Sequence, residues 1–142
     1  MKDFRIDYFL DFLSKNKISH EFEIIQNELS VIISLSKSEN IQIEFFDIYF
    51  EIWFPKFYYS TTYENIDFET ICRLVETVYF KRDVIYEEEY YKNKIIRRDI
   101  FISHFLKIEN YRISFYSILK KILPNTTYKK FNLDELLMRS SE

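Results

Sequence analysis

Residues 29–54 read LSVIISLSKSENIQIEFFDIYFEIWF, and through most of this stretch apolar side chains occupy every second position. A period of two is typical of a strand with one buried face, because successive side chains of a strand point to opposite sides of the sheet. Between Leu29 and Leu35 the apolar positions alternate mostly with serine, which makes this the clearest strand of the chain. The stretch therefore predicts an antiparallel meander with one face on a hydrophobic core.

The alternation changes parity at Phe45-Phe46, in the aromatic part of the run. The change indicates either a β-bulge inside one long strand or a break between two strands, since one extra residue moves every later side chain to the other face. Pro55 is expected to end the run, because proline has no N–H to donate to a neighbouring strand.

Periodic patterns on both sides of the meander complete the predicted fold. Strands are expected at residues 20–26 and in a hairpin over residues 84–106, with a turn at Asn27-Glu28 after the first of them. Helical spacing of apolar residues predicts helices at residues 3–16, 67–82 and 110–123, and a last helix from about Asn132. The order predicts the α+β class, in one domain of residues 1–142: a mostly antiparallel sheet of about five strands, with an N-terminal helix, a central helix and C-terminal helices.

Two local signals sharpen this prediction. Asp67 is expected to cap the central helix, with Ile66 and Ile71 as a hydrophobic staple. If Asn93 is the centre of the hairpin, Glu89 lies opposite Arg97 and Glu88 opposite Arg98. Opposite charges across an antiparallel pair support that register. These charged residues therefore have a structural explanation.

The chain contains no glycine and no alanine, and 20% of its residues are aromatic. Glycine-rich phosphate loops, dinucleotide-binding turns and the nucleophile elbow all need backbone without a Cβ atom. The composition therefore excludes these enzyme classes. It is also the composition expected of an AT-rich coding sequence.

The sequence gives little support for chemistry at any position. On a strand, His20 points away from Glu21 and Glu23, and the other histidine, His104, is remote in sequence. Cys72 lies in the apolar stripe of the central helix and is expected to be a core thiol. We expect no enzyme activity, no catalytic residues, no cofactor and no metal site.

One cysteine allows no internal disulfide, the N-terminus has no signal-peptide pattern, and no apolar run is long enough to cross a bilayer. These features predict a cytoplasmic protein without a membrane partner. The net charge of -3 is unevenly spread, because residues 17–69 are acidic and residues 90–142 are basic. This asymmetry marks a partner surface, or else the two halves neutralise each other within the fold.

The acidic segment is the first candidate surface. Its carboxylates lie in or beside an aromatic run too dense to be buried on one face of one strand. Exposed Tyr and Trp beside carboxylates suit a basic protein partner, whereas the alternative is a two-sided core strand with charged edges. The predicted partner-binding residues are Glu44, Asp47, Glu51, Trp53, Tyr58 and Tyr59.

The basic C-terminal half is the second candidate. Lys120, Lys121, Lys129 and Lys130, with Tyr128 and Phe131 among them, form a pattern used by proteins that bind single-stranded nucleic acid. This pattern defines the alternative function, a nucleic-acid-binding regulator. The other interpretation is a solvated helix end and loop.

The opening helix Asp3–Asn16, the meander His20–Phe54 with its acidic edge, and the helix Asp67–Arg82 together resemble the small immunity proteins of bacterial polymorphic toxin systems, including those of contact-dependent growth inhibition. The resemblance spans the chain as an arrangement of elements and includes no signature motif. It implies a non-enzymatic cytosolic protein that binds and blocks one cognate toxin domain, often a basic nuclease. It assigns no individual residue a role.

Overall fold

The computed structural model describes residues 4–26, 28–111, 122 and 125–140. Within these ranges the chain forms nine strands and three α-helices. The strands are β1 His20–Ile25, β2 Glu28–Ser34, β3 Asn40–Phe45, β4 Tyr49–Phe54, β5 Phe57–Thr62, β6 Val84–Tyr91, β7 Lys94–Ile102, β8 Leu106–Tyr111 and β9 Thr127–Asn132. The helices are α1 Phe4–Lys15, α2 Phe68–Glu76 and α3 Leu133–Ser140, and a π-helical turn, Thr77–Lys81, continues α2.

The strands form two antiparallel sheets. The first sheet has the order β1-β2-β3-β4-β5, and the second has the order β8-β7-β6-β9. The predicted α+β class and antiparallel pairing are confirmed. The strands are divided between two sheets, and β5, β8 and β9 add to the strands that the sequence predicted. Buried residues of both sheets and all three helices belong to one hydrophobic cluster.

The meander buries the face that the sequence predicted. Leu29, Val31 and Ile33 of β2 and the inward residues of β3 and β4 are at most 5% exposed. The parity change at Phe45 is a break between strands and not a bulge, since β3 ends at Phe45 and β4 begins at Tyr49. Ile48, in the connecting turn, is 70% exposed.

Helix α1 covers this face with Ile6, Phe9 and Leu13. The ring centroid of Phe9 lies 4.8 Å from that of Phe45 in β3 and 5.9 Å from that of Phe68 in α2. Aromatic contacts at these separations add to the free energy of burial, so α1, the first sheet and α2 pack around one aromatic centre.

The predicted Asp67 cap is present, and Asn132 caps the last helix in the same way. The Asp67 carboxylate accepts a hydrogen bond from the Thr70 backbone N–H at 2.8 Å, and Asn132 Oδ1 accepts one from the Glu135 N–H at 2.8 Å. Each acceptor satisfies a backbone donor that has no partner inside its helix.

The absence of glycine has a structural cost. Seven described residues adopt positive φ: Lys17, Gln26, Lys56, Arg82, Lys92, Asn93 and Ser103. A side chain with a Cβ atom disfavours this conformation. Lys17 ends α1 in a Schellman motif, in which the Ile18 N–H bonds Leu13 O at 2.9 Å and the Lys17 N–H bonds Ser14 O at 3.2 Å.

The hairpin of β6 and β7 has the predicted charge register, with Glu88 opposite Arg98 and Glu89 opposite Arg97. Lys92 and Asn93 both have positive φ, as a two-residue type I′ turn requires. The register shifts by one residue between Glu89 and Tyr90, and this irregularity makes the short turn compatible with the charge pairing.

Two contacts join the second sheet to the β4–β5 turn of the first. The Tyr86 hydroxyl donates to Pro55 O at 2.9 Å, and the Arg98 guanidinium donates to Lys56 O. Arg98 also pairs with Glu88 at 2.6 Å, and both side chains are buried. The predicted hairpin charges therefore act as a link between sheets.

The predicted third helix is wrong at its start, because Asn110 and Tyr111 end β8. Residues 112–121 and 123–124 lie outside the described residues, as does the predicted turn residue Asn27. Ile122, expected to point inward, is 68% exposed. No helix in the described part of the chain combines the length and apolarity needed to cross a membrane.

Candidate interaction surface

The outer face of the first sheet is the side opposite the core. None of its five strands contains lysine or arginine. The alternation of buried and outward positions, with the strand registers, places five glutamates on this one face: Glu21, Glu23, Glu28, Glu44 and Glu51. None of the five makes an ion pair with a residue that the structure describes. The face therefore carries five negative charges that no described residue neutralises through an ion pair.

Glu44 of β3 and Glu51 of β4 are directly opposite each other across the strand pair. Like charges in this position destabilise a sheet. The only hydrogen bond to Glu44 among the described residues comes from Gln42 Nε2, at 3.1 Å. This donor is neutral, so the repulsion between the two carboxylates persists in the folded chain.

Aromatic side chains lie beside these acids at the β4–β5 end of the face. Trp53 and Tyr58 are cross-strand partners with ring centroids 5.1 Å apart. Tyr58 is 42% exposed and Trp53 is half-buried. Burial, and then the neighbouring Glu51 carboxylate, raise the pKa of the Tyr58 hydroxyl, so Tyr58 stays a neutral donor.

A shallow depression of about 130 Å³ lies where β1, β2 and β3 meet on this face. Its lining includes Glu23, Glu28, Glu44, Ser30 and Phe46. Small-molecule sites usually enclose roughly 300–1,000 Å³ and are mostly apolar. The depression is therefore smaller than most small-molecule sites.

The structure brings together four of the six predicted partner-binding residues. Glu44, Glu51, Trp53 and Tyr58 share the outer face. Tyr59 lies on the opposite side of β5, where it packs against the core, because adjacent residues of a strand alternate faces.

Asp47 lies in the β3–β4 turn and not on the sheet. Its exposed carboxylate is 4.0 Å from Arg5 Nη2, and the same nitrogen donates to Asp47 O at 2.9 Å. Asp47 therefore contributes charge at the edge of the face while it also tethers α1.

Sequence reasoning missed Glu21, Glu23 and Glu28 as members of this face. The signal was present, since period-two alternation in β1 and β2 fixes their side. The pairing of β1 with β2, which sets Glu23 opposite Ser30, places them beside the other acids.

The described part of the basic candidate has acidic neighbours. Lys129 and Lys130 of β9 lie opposite Glu88 and Glu87 of β6, and they point to opposite faces of the strand. Lys129 Nζ also lies 5.7 Å from the ring centroid of Tyr90. Lys120 and Lys121 lie outside the described residues. The two described lysines thus have the structural explanation of opposite-charge pairing in the second sheet.

The candidates for chemistry are dispersed. The His20 ring is 2.7 Å from Ile18 O, and His104 lies in the β7–β8 turn. Among residues 4–26, 28–111, 122 and 125–140, no three His, Cys, Asp or Glu side chains are placed to hold a metal ion. Cys72 is buried as predicted, and burial, followed by Glu69 and Glu76, raises the pKa of its thiol to about 12.

Comparison with known proteins found no family model, no curated protein and no solved structure that matches this chain.

Proposed function

We propose that this chain is a non-enzymatic protein that binds one basic protein partner through the outer face of its first sheet. Covering the partner's active site would then neutralise it. The proposed partner is a cognate toxin domain of a polymorphic toxin system, with a nuclease as the favoured class.

The unneutralised pair Glu44 and Glu51 carries this proposal. A sheet that faced only solvent would gain stability from a lysine at either position, through an opposite-charge pair. Residues retained at a cost to stability are typical of surfaces kept for binding. The repulsion is relieved when a basic side chain of a partner lies between the two carboxylates.

The remaining residues of the face have complementary roles in this proposal. Five glutamates attract a basic partner over a distance and speed association, with an effect that weakens as salt screens the charges. Trp53 and Tyr58 supply large side chains that bury apolar area and slow dissociation.

Nucleases fit this surface because their active sites must accept a polyanion and are commonly lined with lysine and arginine. A carboxylate-covered sheet competes with the nucleic acid for the same side chains. The resemblance to immunity proteins favours the same partner class. Inhibition would be steric and electrostatic and would require no chemistry from this chain.

Affinity capture of the tagged full-length chain from its native cells tests the proposal. We expect one stoichiometric basic protein, identified by mass spectrometry. Its expression alone should arrest growth, and co-expression of this chain should relieve the arrest. The variant Glu44→Lys/Asp47→Lys/Glu51→Lys should lose the partner, because its acidic surface is reversed.

The variant Glu69→Lys/Glu76→Lys is a charge-reversal control on an exposed side of α2, and it should retain the partner. Capture of nucleic acid alone, lost in high salt, would favour the nucleic-acid-binding alternative instead. Equal capture of the partner by both variants would contradict a role for the acidic face.

A further inference from the structure

β1 is the edge strand of the first sheet, and among the described strands it pairs only with β2. In the part of the chain that the structure describes, one row of its backbone N–H and C=O groups therefore has no strand partner. Natural edges are usually protected by charged side chains, above all lysine, by proline or by a β-bulge. β1 reads HEFEII: it has no lysine, proline or bulge, and its charged side chains are Glu21 and Glu23.

The other sheet shows the usual protection. Its edge strand β9 carries Lys129 and Lys130, and its opposite edge strand β8 carries Lys107. In the first sheet neither edge strand, β1 or β5, has a basic residue, but the backbone of β5 is contacted by the second sheet, where Asn110 Nδ2 of β8 donates to Tyr58 O at 3.3 Å. The charges on the β1 edge are thus carboxylates, which repel an acidic strand and attract a basic one.

The side chains of β1 are exposed on both faces. Phe22 and Ile24 belong to the core-facing side, yet they are 53% and 49% exposed. Glu21 and Glu23 belong to the outer face, together with Ile25. An added strand would therefore meet apolar side chains on one of its faces and carboxylates on the other.

We propose that β1 accepts an extended segment of the basic partner as a sixth strand of the first sheet, with alternating basic and apolar residues. Lysine or arginine on the outer face would lie beside Glu21 and Glu23, and apolar side chains on the other face would cover Phe22 and Ile24. Backbone hydrogen bonds would supply affinity, and the alternation would supply specificity. This inference rests on the proposed function and specifies how its partner is held.

Charge argues against a second copy of this chain at the same edge. Two β1 strands related by a two-fold axis keep the outer faces of both sheets on one side. Two registers pair most of the strand. When the pairing is centred on Phe22, Glu21 lies opposite Glu23 of the other copy, and when it is centred on Glu23, the two copies of Glu23 lie opposite each other. A segment with basic residues at those positions replaces this repulsion with attraction.

The test uses a blocked heptapeptide of alternating lysine and valine, titrated into the isotopically labelled full-length chain and followed by NMR. We expect saturable shifts of the backbone amides of residues 20–25. A peptide of the same composition with its lysines and valines in separate blocks should bind roughly tenfold more weakly, because it cannot match both faces of β1.

Backbone methylation identifies edge pairing directly. N-methyl groups on the lysine amides or on the valine amides block opposite edges of the peptide, since alternate N–H groups of a strand point in opposite directions. We expect one methylated peptide to keep its affinity and the other to lose it. Equal binding by both, or no shift at residues 20–25, would overturn the inference.

The variant Phe22→Lys/Ile24→Lys should lose peptide binding and also capture of the cellular partner. If this variant is unstable, Phe22→Thr/Ile24→Thr takes its place, because it removes the two apolar side chains and introduces threonine, which is favoured in strands. The control Phe80→Lys/Ile122→Lys adds the same charge at side chains that are 54% and 68% exposed, and it should bind as the wild type does.

These variants separate the two proposals. Full retention of the partner by Phe22→Lys/Ile24→Lys, with loss by the acidic-face variant, would overturn edge pairing and leave the proposed function standing. If the wild type captures no basic protein, the proposed function fails. Peptide binding alone then shows whether β1 accepts an added strand. If the wild type is a dimer and Phe22→Lys/Ile24→Lys is a monomer, the inference is also overturned, because a second copy would then occupy β1.

Discussion

At the scale of single residues, the chain forms left-handed backbone without glycine. Lys17 has φ of 57° at the position after α1 where glycine is usual. We expect Lys17→Gly to raise the free energy of unfolding by about 1 kcal/mol, because glycine adopts positive φ without a steric penalty. Equilibrium unfolding in urea measures this change.

The matched control is Lys15→Gly, within α1. It should lower the free energy of unfolding by about 1 kcal/mol. Glycine is unfavourable in a helix, and it cannot make the ion pair that Lys15 makes with Asp11. Destabilisation by Lys17→Gly would mean that the lysine side chain contributes more than its backbone conformation costs.

The Asp67 cap makes stability depend on pH. Hydrogen bonds from Thr70 lower the pKa of Asp67 in the folded chain. A lowered pKa means that the stabilisation is fully present above the unfolded pKa of about 3.9 and is lost as the pH falls through the folded value. Asn caps helices about as well as Asp but does not titrate.

We therefore expect the stability advantage of the wild type over Asp67→Asn to shrink on acidification from about pH 6 to about pH 3. Urea unfolding of both proteins at the two pH values measures the difference. A constant difference would show that ionisation of Asp67 does not contribute to the cap.

At the scale of elements, the Glu88–Arg98 pair joins the β6–β7 hairpin to the first sheet. Arg98→Met should cost roughly 3–5 kcal/mol, since it removes the ion-pair partner of the buried Glu88 carboxylate. Glu88→Met/Arg98→Met should recover much of this loss, because no buried charge is left over. Urea unfolding of the single and double variants forms the test.

Lys107→Met is the control at a more exposed pair, and it should change stability little. A double variant as unstable as Arg98→Met would show instead that the bond to Lys56 O, and not the buried charge, dominates the link between sheets.

The elements also show how far the sequence predicts this fold. Alternation predicted β1 to β4, and the hairpin register followed from Glu88, Glu89, Arg97 and Arg98. β5 and β9 were missed because each buries only one side chain fully, so neither alternates clearly in sequence. The division into two sheets depends on which strands pair, and no local pattern encodes that choice.

The sequence also predicted part of the candidate surface. Period-two alternation of β3 and β4 was enough to place Glu44, Glu51 and Trp53 on one face, whereas the position of Tyr58 on that face depends on β5, which the sequence did not predict. Tyr59 was included because it adjoins Tyr58, although neighbours on a strand face opposite sides. The open edge of β1 could not be predicted, since it requires the strand order.

At the scale of the whole molecule, the two sheets differ in whether their glutamates have basic neighbours. In the second sheet, Glu87, Glu88 and Glu89 have basic cross-strand neighbours or ion-pair partners in β7 or β9. In the first sheet, five glutamates face outward beside one another without such neighbours. Within the described residues, the five glutamates of this face are therefore not neutralised by the basic half of the chain.

This contrast predicts opposite effects of one substitution on folding and on binding. Glu44→Lys should raise the free energy of unfolding by roughly 0.5 kcal/mol, because it replaces a repulsive cross-strand pair with an attractive one opposite Glu51. The same change should weaken binding of the basic partner. Glu69→Lys, which changes the charge equally on α2, should leave binding nearly unchanged.

The most direct test of the acidic binding face compares the wild type, Glu44→Lys and Glu69→Lys. For each protein, the dissociation constant of the captured partner is measured, and the free energy of unfolding is measured separately in urea. We predict that Glu44→Lys binds at least roughly tenfold more weakly while its fold is as stable as the wild type or more so. An unchanged dissociation constant for Glu44→Lys would contradict the claim that this face binds the partner.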